Sequence, residues 1–290
     1  MLLSLVQSLE QEFWMFYLFN FLFTVIAIIL DSILGLNFNT NMNILIAGES
    51  WVTHTVHIKG FDSFVTSGYE EGVQWLKAAL DRAGHKVNHM PNHLVSTDFP
   101  SSVDSLNNYD VVMISDCGSN TLLHHPDTFI KSQMTPNRLE AIHDYVYNGG
   151  SLVMIGGYMT FQGINGTARY SGTKVEDALP VTIGTVDDRV EVPEGIVPQV
   201  IQADHPVVKD IVGEWPSFLG YNRVIAKKGS DVLAIAGEDP FLTVWSYGKG
   251  RSAAFASDCG PHWGPPGYLS WTHHDRLWQQ IVTWLSHEKK

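Results

Sequence analysis

The tetrapeptide Ser-Asp-Cys-Gly occurs twice in this chain, at 115–118 and at 257–260, each time after an apolar run. A cysteine does nucleophilic work as its thiolate, with a histidine as base and a carboxylate to orient that base. The residue types for this are present as Cys117, His262 and Asp258. The opposing reading makes Cys117 and Cys259 small packed residues, inert because nothing lowers their pKa. A disulfide between them requires Cα atoms within about 7 Å. Glu49 follows an apolar run too, as a carboxylate for acid–base work, as the partner of a sugar hydroxyl, or as a solvated residue, and Asp116 follows another. His124-His125 lies near Asp116 and Asp127, and His273-His274 near the end of the chain. Adjacent histidines point apart, and no His-x3-His spacing appears, so neither a metal nor another cofactor is expected.

These residues need elements to hold them. Ile44–Ala47, Lys86–Met90, Asp110–Ser115 and Ser151–Ile155 read as strands, Asp110–Ser115 apolar enough to be buried on both faces. Val73, Leu76, Leu80 and Ala83 form a helical stripe stopped by Gly84, with Ser67-Gly-Tyr-Glu70 spaced as a capping box before it. A long polar loop is expected between the first strand and that box. Thr135-Pro136 is expected to open a helix that Gly149-Gly150 ends. Residues 160–230, rich in Val, Gly, Pro and Asp, read as loops and short strands, an antiparallel excursion. Asp231–Ala236 is a further strand, Phe241–Tyr247 and Arg251–Ala256 form a hairpin around Gly248-Lys-Gly250, and Arg276–Ser286 is an amphipathic terminal helix. Alternating strands and helices imply a doubly wound, mostly parallel sheet. Ligands of such sheets sit beyond the carboxyl ends of the strands. That rule selects Glu49, Ser50, Trp51, Asp116, Gly157, Tyr158 and Trp263 as a binding rim, with Cys117, Asp258 and His262 as the catalytic candidates.

Four stretches, taken in order, carry a resemblance. They are Ile44–Gly48, Ile114–Gly118, Gly149–Gly157, and Tyr247–Arg251 running through Ser257-Asp258 to Trp263. Together they resemble the class I glutamine amidotransferase-like superfamily, and more closely its cytoplasmic putative glutamine amidotransferase family. The resemblance spans nearly all of 42–290 and implies a flavodoxin-like sheet. It also implies a nucleophile elbow after the strand ending near Ile155, with cysteine in a Gly-x-Cys-x-Gly setting and a His-x-Glu pair after a late strand. The cysteine would form a thioester with glutamine while backbone N–H groups hold the oxyanion. Here the elbow reads Gly156-Gly157-Tyr158-Met159-Thr160, without Cys or Ser, and the late strand leads to Asp258-Cys259-Gly-Pro-His262-Trp263, without His-x-Glu. Glutaminase activity is therefore not expected. Trp51, Tyr158, Phe161, Trp263, Tyr268 and Trp271 lie on expected loops, where aromatic faces among carboxylates suit a small polar ligand such as a sugar. The same aromatics would equally serve a homo-oligomer interface.

Bulk properties agree. The chain has 290 residues and a formal net charge of -12, with no cluster of Lys and Arg, which argues against nucleic acid as a partner. Two cysteines are too few for a disulfide framework and suit the cytoplasm. The first 41 residues differ from the rest. Phe13–Leu30 is almost unbroken apolar sequence, but no Lys or Arg occurs before Lys59 to set an orientation. One reading starts the native chain at Met42. The other makes residues 13–30 an anchor in the inner membrane.

Overall fold

The computed structural model describes residues 41–286, so the expectations for the apolar run Phe13–Leu30 and for the start of the chain fall outside it. Among the described residues no helix is long and apolar enough to cross a membrane. The chain opens with β1 (Asn43–Gly48) and a ribbon of β2 (Ser50–Lys59) and β3 (Asp62–Glu71), then α1 (Gln74–Arg82) and β4 (Lys86–Met90). Helices α2 (Asn92–Asp98) and α3 (Val103–Leu106) lead to β5 (Val111–Ser115). Next come α4 (Ser119–Leu123), α5 (Pro126–Lys131), α6 (Arg138–Tyr147) and β6 (Ser151–Ile155). The excursion contains α7 (Lys174–Ala178), β7 (Val181–Ile183), β8 (Arg189–Ile196), β9 (Gln199–Val200), β10 (Phe218–Asn222) and β11 (Val224–Ala226). The fold closes with β12 (Asp231–Ala236), β13 (Asp239–Tyr247), β14 (Gly250–Phe255), α8 (Pro266–Leu269) and α9 (His274–Leu285).

The central sheet has the order β4-β1-β5-β6-β14-β13-β12-β9. Its first five strands are parallel, and β13, β12 and β9 extend it antiparallel. The parallel part is the flavodoxin-like order 2-1-3-4-5. Each strand sends alternate side chains to opposite layers. Ile44, Ile46, Met113 and Val153 pack with Leu76, Leu80 and Ile281 of α1 and α9. Leu45, Val112, Ile114 and Leu152 pack with Ile142 and Val146 of α6. Burial of each such side chain contributes about 1.5–3 kcal/mol, which explains why these strands read as continuous apolar runs.

Three expectations of local structure are corrected, and the open question of a disulfide is answered. Residues 50–71 are a two-stranded antiparallel ribbon, not a polar loop. Ser67-Gly-Tyr-Glu70 belongs to β3, so no capping box forms there, and the helix begins after the close approach of Gly72 to Glu49. Pro136 does not open α6. Asn137 does so instead, its side chain accepting from the N–H groups of Leu139 and Glu140. Cys117 and Cys259 lie in separate core layers, and both are free thiols, so no disulfide joins them.

Candidate functional site

Four parallel strands deliver the site at their carboxyl ends. Glu49 follows β1, Ser115 ends β5 with Asp116 behind it, Gly156-Gly157 follow β6, and Asp258-Cys259 follow β14. Glu49 and Asp116 both adopt left-handed backbone, at φ 50° and 43°. Such conformations cost non-glycine residues of order 1–3 kcal/mol each and persist only where the surroundings impose them. Here they do. Glu49 N–H donates to Ser115 O at 2.7 Å, and Glu49 O accepts from Gly72 N–H at 3.0 Å. The two turns thereby aim two carboxylates at the same space.

Glu49 is buried. Ser115 Oγ donates to its Oε2 at 2.5 Å, and Cys259 Sγ approaches the same oxygen at 3.8 Å. Its Oε1 lies against Gly72 and Gly260, where a Cβ would come within 2.2 Å and 3.3 Å. Asp258 is equally buried. Its Oδ1 accepts from Gly260 N–H at 2.9 Å and its Oδ2 faces His262 Nδ1 at 3.5 Å. Asp116 Oδ1 accepts from Met159 N–H at 2.7 Å, and Tyr158 N–H adds a second bond. Burial holds the Glu49 and Asp258 carboxyls well above their ordinary values, and mutual repulsion with neighbouring carboxylates pushes the same way. Burial raises Asp116 less, because the two amides and His262 favour its charged form. Burial also lowers His262, which favours neutral imidazole. Burial and mutual repulsion thus favour the neutral form of these carboxyls, and a neutral carboxyl offers a ligand both a proton and lone pairs.

An aromatic cluster covers one side. His262, itself at φ 124°, has Tyr158 edge-on at 4.1 Å and Trp263 stacked at 5.2 Å. Glu191 of β8 accepts from Tyr158 Oη and from Trp263 Nε1, each at 3.0 Å. Arg189 lies over the Tyr158 ring at 4.8 Å. Beside His262 opens a cavity of about 460 Å³, lined mainly by Trp75, Leu219, Pro261, Pro265 and Leu269.

The structure brings Glu49, Asp116, Asp258, Tyr158, His262 and Trp263 together. It does not bring in Cys117, which is buried in the layer beneath α6. The Cys117 thiol rests against Gly118 O at 4.0 Å, and burial drives it far from its thiolate. The Cys117–His262 dyad is corrected accordingly. Ser50 and Trp51 root the ribbon: Ser50 Oγ and O accept from Asn92, and Trp51 pairs with Glu70. Phe161, Tyr268 and Trp271 are packing residues rather than rim, Trp271 against Trp215. His125 caps α5, and His274 packs against Tyr268. Sequence reasoning missed Ser115 and Cys259 as partners of Glu49, although the repeated Ser-Asp-Cys-Gly pointed at both. It also missed Arg189, Glu191 and Asn222, which come from the excursion and carry no spacing signal. Glu49, Asp258 and Cys259 place donor atoms within 4.8 Å of one another, a set able to take a divalent cation in place of protons.

At the elbow, a Cβ on Gly156 would lie 2.4 Å from Ala256 O and 2.8 Å from Asn222 Oδ1. The amides that follow are all engaged. Gly157 N–H donates to Asn222 Oδ1 at 2.9 Å, and Tyr158 and Met159 donate to Asp116. Thr160 Oγ1 is buried without a partner, so no base activates it.

The sequence from 43 to 287 matches the model of a family described as Putative glutamine amidotransferase. Two solved structures, titled cytoplasmic proteins STM3548 and STM1381 of Salmonella typhimurium, are each 45% identical to this chain with TM-scores of 0.81. The alignments cover 83% and 84% of this chain and 98% and 99% of theirs. No curated protein matches. A family match over nearly the whole described fold, with this agreement in structure, means that the chain belongs to the Putative glutamine amidotransferase family.

Proposed function

We propose that this family member binds a small polar ligand at the rim of Glu49, Asp116 and Asp258 and has no glutaminase activity. The observation that carries this is the state of the elbow. Thioester chemistry needs a nucleophile at the turn and free N–H groups for the oxyanion. Tyr158 stands where the Gly-x-Cys-x-Gly pattern places its cysteine, and the amides of Gly157 and Met159 hold Asn222 and Asp116 instead. A carboxylate in that cradle is itself a ligand-facing group. With burial favouring the neutral forms of Glu49 and Asp258, the rim suits a compound carrying several hydroxyl or amino groups. Both Salmonella relatives are titled cytoplasmic, and the same compartment is proposed for this chain.

Ammonia release from glutamine, followed with an enzyme-coupled assay, is expected to stay at the uncatalysed rate. A glutamine-mimicking diazoketone is expected to label neither cysteine. Turnover of glutamine, or labelling, would sink the proposal. The ligand half is tested by thermal shift against sugars, polyols and polyamines at millimolar concentration. Stabilisation should be lost in Asp116→Asn; a ligand that binds this variant equally well does not sit on the rim.

A second reading rests on the Asp258–His262 contact. A buried carboxylate against a half-exposed neutral imidazole is an acid–base pair, able to activate water for a hydrolase or transferase. Any hydrolytic activity found must then fall at least about 100-fold in His262→Ala, the ordinary contribution of such catalysis.

A further inference from the structure

Building on the rim reading, we propose that the cavity beside His262 receives an aryl group carried by the rim ligand, which is thus a hydroxyl- or amino-bearing head with an aromatic substituent. The cavity holds about 460 Å³, and small-molecule sites run from roughly 300 to 1,000 Å³. Trp75 from the start of α1, Leu219 from β10, and Pro261, Pro265, Pro266 and Leu269 from the segment after β14 line it.

This wall has little hydrogen bonding to give. Its three prolines carry no N–H. Four further amides are engaged. Leu219 N–H donates to Trp263 O at 2.9 Å, Gly264 N–H to Gly260 O at 3.1 Å, Leu269 N–H to Pro265 O at 3.1 Å, and Ser270 N–H to Pro266 O at 3.0 Å. Ser270 Oγ spends its own proton on Pro266 O at 2.7 Å. A hydroxyl or amine moved here gives up water for a wall short of partners, which costs free energy. An aryl group gives up nothing polar and gains by leaving water. Trp75 adds an aromatic surface, against which a second ring packs offset or edge-on.

The cavity adjoins the carboxyls. His262 lines it and also faces Asp258 Oδ2 at 3.5 Å, so one side chain borders both spaces. The backbone joins them as well. Gly72 and Gly260 both lie against Glu49 Oε1, Trp75 stands three residues beyond the first, and Pro261 follows the second. The chain thus passes from the carboxyl cradle to the cavity wall within a few residues at both places. That wall is set before a ligand arrives. Tyr268 of α8 is buried, and its Oη accepts from Trp278 Nε1 at 3.0 Å. A preformed wall spends little on ordering when a ligand binds.

Paired probes test this. Phenyl and methyl β-glucopyranoside share one head, benzylamine and methylamine another, and each pair differs in the aryl group. Titrations of the full chain are followed through the indole N–H resonances, with the Trp75 signal identified by its loss in Trp75→Phe. In one pair at least, the aryl compound is expected to bind at least about tenfold more tightly, the order of gain from burying a ring, and to move the Trp75 signal. Trp75→Ala removes part of the wall, and Ser270→Phe, at an exposed position, fills the space. Each should erase the preference for the aryl member, and an unchanged melting midpoint in Ser270→Phe shows an intact fold. Equal affinities within both pairs, or a preference that survives both substitutions, would overturn the proposal. Asp116→Asn separates it from the rim reading. A probe lost in Asp116→Asn that never moves the Trp75 signal keeps the rim and sinks the cavity. A Trp75 shift with undiminished affinity in Asp116→Asn keeps the cavity and sinks the rim.

Discussion

Glu49 concentrates the tension in this molecule. It is buried beside two other carboxyls, in left-handed backbone, with a hydroxyl and a thiol as its side-chain partners. The linkage has a definite sign. Its folded pKa lies well above the ordinary 4.5, so the folded state keeps a proton that the unfolded chain releases. Stability from this residue is therefore undiminished below about pH 4.5 and falls as pH rises above it. Glu49→Gln removes that loss and keeps an acceptor for Ser115. It is expected to gain about 0.5–2 kcal/mol at pH 8, the usual range for relieving a functional-site conflict, with the gain vanishing near pH 4.5. Urea denaturation at the two pH values measures this; an equal effect at both would mean that no proton is involved. The two thiols show what was legible at this scale. The repeated Ser-Asp-Cys-Gly identified both strand ends correctly. Which thiol meets a carboxylate depends on the turn after each strand, and the left-handed Asp116 sends Cys117 into the opposite layer from Cys259. Nothing in the residue types announces that.

Among the elements, Ser151–Ile155 was readable because packing on both faces demands apolar side chains throughout, and it matches its expected bounds, as do the less buried Lys86–Met90 and Asp231–Ala236. The ribbon was not read, although its alternation of Val52, His54, Val56 and Ile58 has the strand period. The Ser–Glu spacing of a capping box won instead, being a local signal that ignores pairing partners. Helix α2 shows a dependence that sequence spacing hides. At its start Asn92 donates to Ser50 O at 2.7 Å and Asp116 O at 2.9 Å, tying two strand ends of the site together. At its other end the buried Arg138, from α6, donates to the carbonyls of Val95, Ser96 and Thr97, and also to Leu122 O of α4. Arg138→Met keeps the apolar stem and removes the donor to those carbonyls, at about 1–3 kcal/mol for each left without a partner that water cannot reach; Val95 O keeps the Phe99 N–H. A loss of at least about 2 kcal/mol is expected, with faster hydrogen exchange across Asn92–Asp98. A change within about 0.5 kcal/mol, typical of surface positions, would show that the guanidinium does not hold this helix.

Across the whole molecule, the flavodoxin-like order was legible because alternating strands and helices admit few topologies. What lies beyond the carboxyl ends of that sheet was not. Glu191 of β8 accepts from Tyr158 Oη and Trp263 Nε1, and Asn222 of β10 holds the Gly157 amide, so the excursion and the sheet build one side of the rim together. These segments meet only in the folded chain, and a spacing rule that works within one strand or one helix has nothing to say about residues brought together from different ones.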